Sequence, residues 1–167
     1  WTQIELPNNG DVNPVDNIQT LCAPASASWD PNMKHVSPKG VGSAGYIANN
    51  QTMTYTVEFQ NTGNDTAFNI YILDTISSNL NLNTLRILGS SHPMKLQLLD
   101  NDVLKFRFDN IHLVDSNTNE PLSHGYVQFS IDQQPNLTQG TEIKNKVGIY
   151  FDYNEPVITN TVLNTID

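Results

Sequence analysis

The chain has 167 residues, 38% of them hydrophobic and 15% charged, and its 8 Lys and Arg against 17 Asp and Glu give a formal net charge of −9. That length suits one domain with a short appendage. A surface so poor in cations offers little to the phosphates of nucleic acid or of an anionic membrane. The lone Cys22 excludes an internal disulfide framework and a repeated thiolate metal site, and no apolar run approaches the ~20 residues that span a bilayer.

The chain opens on Trp1, which reads as the start of a mature or excised piece of a longer protein. Residues 1–29 hold the turn-rich stretches Asn8-Asn9-Gly10-Asp11 and Pro14-Val15-Asp16-Asn17, then the small residues Ala23 to Ser28. Two readings stand for this segment: a leader without structure of its own, or the tail of a preceding module with Ile18 to Cys22 as its last strand. Residues 30–167 read as one folded module.

Within that module apolar residues alternate with polar ones and never hold a 3.6-residue period, so strands are expected throughout. Lys34 and Val36 share one face of the first strand. Gly40-Val41-Gly42-Ser43-Ala44-Gly45 matches the dinucleotide fingerprint by letter only, because a strand must precede that motif and a helix must follow it. Here Pro38 precedes it, and Tyr46 to Asn50 lead into another strand, so a loop is expected. Tyr55, Val57 and Phe59 alternate with threonines and Glu58. After the turn at Asn61 to Asp65, Phe68, Ile70, Ile72 and Asp74 fall on one face.

Asp100-Asn101-Asp102 joins Met94–Leu99 to Val103–Phe108 as a hairpin. Val127, Phe129 and Ile131 alternate in turn. Beyond Pro135 and Gly140, Ile143, Asn145, Val147, Ile149 and Phe151 share one parity. The expectation is an all-β, antiparallel β-sandwich of about eight or nine strands without a substantial helix.

Parity therefore aims three polar side chains, Lys34, Asp74 and Asn145, at the core from three strands. A buried unpaired charge is costly, so the three should meet. One outcome is a Lys34–Asp74 ion pair whose leftover donors and acceptors the Asn145 amide satisfies. The other is a covalent isopeptide bond. Desolvation favours the uncharged Lys34 amine as nucleophile and the acid form of Asp74, which polarises the Asn145 carbonyl and shuttles protons while ammonia leaves.

Other constellations are thinner. Asp115, Asn117, Asn119 and Glu120 offer oxygens of the kind that bind Ca²⁺, although Pro121 stands where such a loop needs a glycine. Asp30, Asn32, Asp152 and Asn154 form a second such set. Tyr71 and Tyr150 have outward parity and, with Trp1, Trp29, Tyr46, Tyr126 and Tyr153, are candidates for stacking on polysaccharide. His35, His92, His112 and His124 are scattered, Ser90-Ser91-His92 lacks the strand–turn–helix setting of a nucleophile elbow, and nothing brings Glu58 and Glu142 to one cleft. No enzyme acting on an external substrate is expected, and apart from calcium no cofactor.

Several stretches carry a family resemblance: Asp30-Pro31-Asn32-Met33-Lys34, Thr54 to Gly63, Asp65-Thr66-Ala67-Phe68-Asn69-Ile70, Leu73-Asp74-Thr75-Ile76, Leu88 to Pro93, Asn119-Glu120-Pro121, Ser123-His124-Gly125 and Ile149 to Asn154. Over residues 30–166 their order resembles the immunoglobulin-like "conserved repeat" modules of large secreted Bacteroidetes surface proteins. Asp11 to Asn17 is similar to the tail of a preceding repeat. Met33 departs from the acidic or polar residue usual there, which weakens a metal role for that segment. The chain order Lys34, Asp74, Asn145 resembles crosslinked immunoglobulin-like domains of bacterial adhesins. The resemblance implies a non-catalytic spacer or presentation module of a type IX-secreted, multidomain cell-surface protein, with neighbouring domains of the same polypeptide as partners. The alternative is a carbohydrate-binding or calcium-assisted adhesion module.

Overall fold

The computed structural model describes residues 2–5, 18–21 and 31–167. The chain divides into two units, Trp1–Asp30 and Pro31–Asp167. In the first, β1 (Thr2–Glu5) and β2 (Ile18–Leu21) pair antiparallel, with Thr2 opposite Leu21 and Glu5 opposite Ile18. The strand expected over 18–22 is described as Ile18–Leu21, while Cys22, Trp1, Trp29 and Asp30 lie outside the described residues.

The second unit is an all-β sandwich. Its four-stranded sheet runs β3 (Met33–Ser37), β5 (Thr52–Gln60), β10 (His124–Gln133) and β7 (Leu80–Ser90). Its five-stranded sheet runs β13 (Val157–Ile158), β12 (Val147–Phe151), β6 (Ile70–Thr75), β9 (Val103–Phe108) and β8 (Lys95–Leu99). Every pairing in both is antiparallel. A third sheet, β11 (Glu142–Asn145), β14 (Val162–Ile166) and β4 (Tyr46–Ile47), carries one parallel pairing, β14 with β4.

Period-two alternation explains the layers, since each strand turns one row of side chains inward. Tyr55, Val57 and Phe59 of β5 and Val127, Phe129 and Ile131 of β10 form one inner wall. Ile70 and Ile72 of β6, Leu104, Phe106 and Phe108 of β9, and Val147, Ile149 and Phe151 of β12 form the other, and all belong to one buried cluster. Rings meet across the interface: Phe59 and Phe108 edge-on at 5.2 Å, Phe106 and Phe129 stacked at 5.4 Å. Gly125 of β10 lies opposite Phe59, and a Cβ there would come within 2.3 Å of that ring, so only glycine leaves room for it.

Two expectations need correction. Phe68 is not part of the inward row, because β6 begins only at Ile70; the ring is 50% exposed and lies edge-on to His112. The single C-terminal strand expected from residue 142 onward is two strands in two sheets, broken at Lys146, although Asn145 and Val147 on either side are both buried. Among the described residues, helix is confined to α1 (Ser116–Asn119) and a 3-10 turn, Glu120–Leu122.

Candidate functional site

β3 is an edge strand with β5 as its partner, and Lys34 lies opposite Val57. Its inward parity carries a lysine side chain to the middle of the core, where the residue is 1% exposed. The Nζ sits 4.8 Å from the centroid of the Tyr55 ring and 5.4 Å from that of Phe129, so two aromatic faces stabilise its charge. Its hydrogen-bonding partner comes from the opposite sheet: Nζ donates to Oδ2 of Asp74, which is fully buried on β6. Removing one member of such a buried pair leaves the other charge uncompensated, at a cost of about 3–5 kcal/mol.

Asn145, the last residue of β11, is 3% exposed. It lies two positions before Val147, the residue opposite Asp74, and directly opposite Val162 of β14. With Thr75, Lys144, Lys146 and Thr161 it lines a cavity of about 410 Å³. Neither Oδ1 nor Nδ2 of its amide makes a hydrogen bond, and Oδ1 of Asp74 is likewise buried without one. Buried polar atoms are paired in the great majority of cases, so these three unsatisfied atoms, one on β6 and two on β11, set Asp74 and Asn145 apart from the other core residues.

Burial pushes the Lys34 ammonium below the ordinary lysine range, against the charge and hydrogen bond of Asp74, which pull it up. Proton transfer within the Lys34–Asp74 pair leaves its net charge at zero and yields a neutral amine beside a carboxylic acid. Burial also pushes the Tyr55 phenol up, and the nearby Asp74 adds to the rise, so Tyr55 is a neutral wall of the site.

Two further residues join the site without any periodic signal in the sequence. Asn160 closes on the outer edge of β3: its Oδ1 accepts from the Lys34 backbone N–H at 2.8 Å and its Nδ2 donates to the Lys34 carbonyl at 2.9 Å. Thr159 grips β12 in the same manner. Its N–H donates to the Val147 carbonyl at 3.0 Å, and its Oγ1 accepts from the Val147 N–H at 3.2 Å. The walls Tyr55 and Phe129 were readable as core from alternation, but their role in facing the ammonium was not.

The oxygen-rich segment at 115–120 is otherwise employed. Asp115 caps α1, accepting from the N–H groups of Asn117 and Thr118 and from the Thr118 hydroxyl. These bonds hold its carboxyl below the usual carboxylate range. Asn117 reaches toward the Gly63 carbonyl, Asn119 Oδ1 accepts from Leu122 N–H, and Glu120 pairs with His124. The four side chains thus serve four separate local contacts. In the second set, Asn32 accepts from the Gln60 N–H, and Asp152 from those of Phe68 and Asn69. Among the described residues no group of three or more His, Cys, Asp or Glu is arranged to hold a metal ion.

Tyr71 and Tyr150 do meet, opposite each other on β6 and β12, with stacked rings 4.4 Å apart. Lys105 Nζ stands 4.4 Å from the Tyr71 ring. Tyr71 thus stacks on Tyr150 and also faces a lysine. Loop 40–45 is a turn closed by Val41 and Tyr46, which exchange both backbone hydrogen bonds.

Solved structures share this fold at low identity. The N-terminal domain of the Streptococcus gordonii adhesin Sgo0707 superimposes with a TM-score of 0.61 at 12% identity, covering 83% of this chain and 33% of that one. BcpA, the major pilin subunit of Bacillus cereus, gives 0.54 at 13% identity, covering 81% and 39%. The C-terminal domain of the Streptococcus pyogenes antigen I/II-family protein AspA gives 0.50 at 14%, covering 83% and 47%. The chain thus spans between a third and a half of the length of each. None of the curated proteins matches it in sequence. The sequence model of one family, described as a domain of unknown function, DUF7619, matches residues 30–165, and the chain belongs to that family.

Proposed function

We propose that this module is a structural spacer that presents its neighbours in a secreted or cell-surface multidomain protein, and that a Lys34–Asn145 isopeptide bond, formed with the help of Asp74, holds it closed. It acts on no external substrate. The observation that carries the reading is the buried Lys34–Asp74 pair together with three buried polar atoms that have no partner, Oδ1 of Asp74 and both polar atoms of the Asn145 amide. The likeness in fold to domains of an adhesin and a pilin supports a place at the cell surface. The sequence resemblance to Bacteroidetes surface modules supports the role of spacer.

The chemistry balances within the chain. Proton transfer from Lys34 to Asp74 frees the amine lone pair. Nζ attacks Cγ of Asn145 while the Asp74 acid hydrogen-bonds the carbonyl oxygen, whose developing charge it stabilises. In the tetrahedral intermediate Asp74 relays a proton from Nζ to the amide nitrogen. The Cγ–Nδ2 bond breaks, ammonia departs, and a secondary amide joins β3 to β11. Asp74 ends as it began the attack, protonated. Burial suits each step, since water would compete for the carbonyl and screen the acid.

Intact-mass measurement of the full chain tests this. The expected mass lies one ammonia below that of the sequence, and Lys34→Ala, Asp74→Ala and Asn145→Ala each return it to the sequence value. A parent protein at its unmodified mass overturns the crosslink.

A further inference from the structure

We infer that the dipeptide Thr159-Asn160 is a clamp that sets the crosslinking geometry, each residue positioning the backbone beside one side of the site. The inference rests on the crosslink proposed above. The two residues are adjacent, yet they hold opposite sheets of the sandwich. Asn160 binds β3 through both backbone groups of Lys34 itself, the residue that carries the nucleophile. Thr159 binds β12 through both backbone groups of Val147, which lies opposite Asp74 and two positions after Asn145.

The form of the contacts matters. An edge strand such as β3 leaves the outward N–H and C=O of alternate residues without a strand partner. The Asn160 amide supplies an acceptor and a donor in the spacing of a peptide group, so it pairs with Lys34 as one residue of a neighbouring strand would. The Thr159 hydroxyl in turn donates to the Asn160 carbonyl at 3.0 Å, tying the two grips together. Thr159 is itself buried. β3 at Lys34 and β12 at Val147 are thereby fixed through a two-residue bridge in addition to the packing of the core. A reaction between groups on separate strands depends steeply on such fixing, since a displacement of ~1 Å can slow a reaction about a hundredfold. Thr159 and Asn160 act through the backbone of Val147 and Lys34, so both are positioning residues.

The test follows crosslinking in time, using a short pulse of cell-free synthesis of the full chain and intact-mass sampling during the chase. Asn160→Ala and Thr159→Val are each expected to lose ammonia between about ten and a hundred times more slowly than the parent. Asn164→Ala is the control. Its Nδ2 holds the carbonyls of Pro38, Lys39 and Gly45, so it removes a comparable set of bonds without touching Lys34 or Val147. It is expected to crosslink within about twofold of the parent rate. Parent-like rates in both clamp variants overturn the inference, and so does equal slowing by Asn164→Ala, which makes the effect one of general stability. If Asn160→Ala does not fold, Thr159→Val decides alone. A parent chain that loses no ammonia overturns the crosslink and the clamp together, whereas a crosslinked parent with fast clamp variants overturns only the clamp.

Discussion

Lys34 sits under two opposed pressures. Burial favours its neutral amine, while Asp74 and two aromatic faces favour the ammonium, and burial is the larger effect. This has a consequence for stability against pH. An unfolded chain titrates Lys34 at the ordinary value of 10.5, and the folded chain at a lower one. Between the two, the unfolded state binds more protons, so stability rises with pH over that window. Tyr55 works in the opposite sense. Its phenol is raised in the fold, so its contribution is complete below the ordinary tyrosine value of 10.0 and is lost as pH climbs beyond it.

Once Lys34 is an amide it no longer titrates and only the tyrosine effect is left. Denaturant midpoints should therefore rise as pH approaches the ordinary lysine value in Asn145→Ala, which retains the free amine. In the parent no such rise from Lys34 is expected, and both proteins should weaken above the tyrosine value. The same alkaline rise in both proteins would contradict an amide at Lys34.

At the scale of strands, the core depends on close fits that alternation alone does not reveal. Gly125 is the sharpest, since a methyl group there meets the fully buried Phe59 ring. Gly125→Ala should destabilise the module by about 1–3 kcal/mol, as overpacking does. Chemical denaturation of the variant measures it, and a change under ~0.5 kcal/mol would show that the ring can yield. The inward rows of β5, β6, β9, β10 and β12 were legible in the sequence because each is buried on one side and keeps period two over four or more residues. For the same reason Lys34, Asp74 and Asn145 were legible as inward-facing.

β7 was not, since its pairing with β10 shifts register between Gln128 and Phe129 and again between Ser130 and Asp132, so no single parity runs along it. The break at Lys146 was hidden by its own regularity, because buried positions continue in step on both sides although the strand changes sheet. Asn160 and Thr159 left no mark at all. Isolated side chains that bond to backbone, Asn160 across 126 residues and Thr159 across 12, have no sequence period, and this chain is rich in asparagines that serve turns.

For the whole molecule, the proposed bond between Lys34 and Asn145 would determine how force passes through the module. Tension entering near residue 31 and leaving near residue 167 would run across the new amide, and everything from 35 to 144, including β5 to β10, would lie outside its path. Pulling the chain from both ends should extend only the segments before Lys34 and after Asn145. Asn145→Ala should add the full length of the intervening segment, at roughly 3.3–3.6 Å per residue. Equal extension of both proteins would deny the mechanical role. An acidic surface with a net charge of −9 suits such a part, since net charge well away from zero opposes self-association.

The most direct measurement is peptide mapping of the parent protein by tandem mass spectrometry. A branched peptide is predicted, in which the Lys34 side chain is joined to that of Asn145 with the loss of one ammonia and trypsin fails to cut after Lys34. Recovery of two separate linear peptides, with Lys34 cleaved normally and Asn145 intact, would contradict the account.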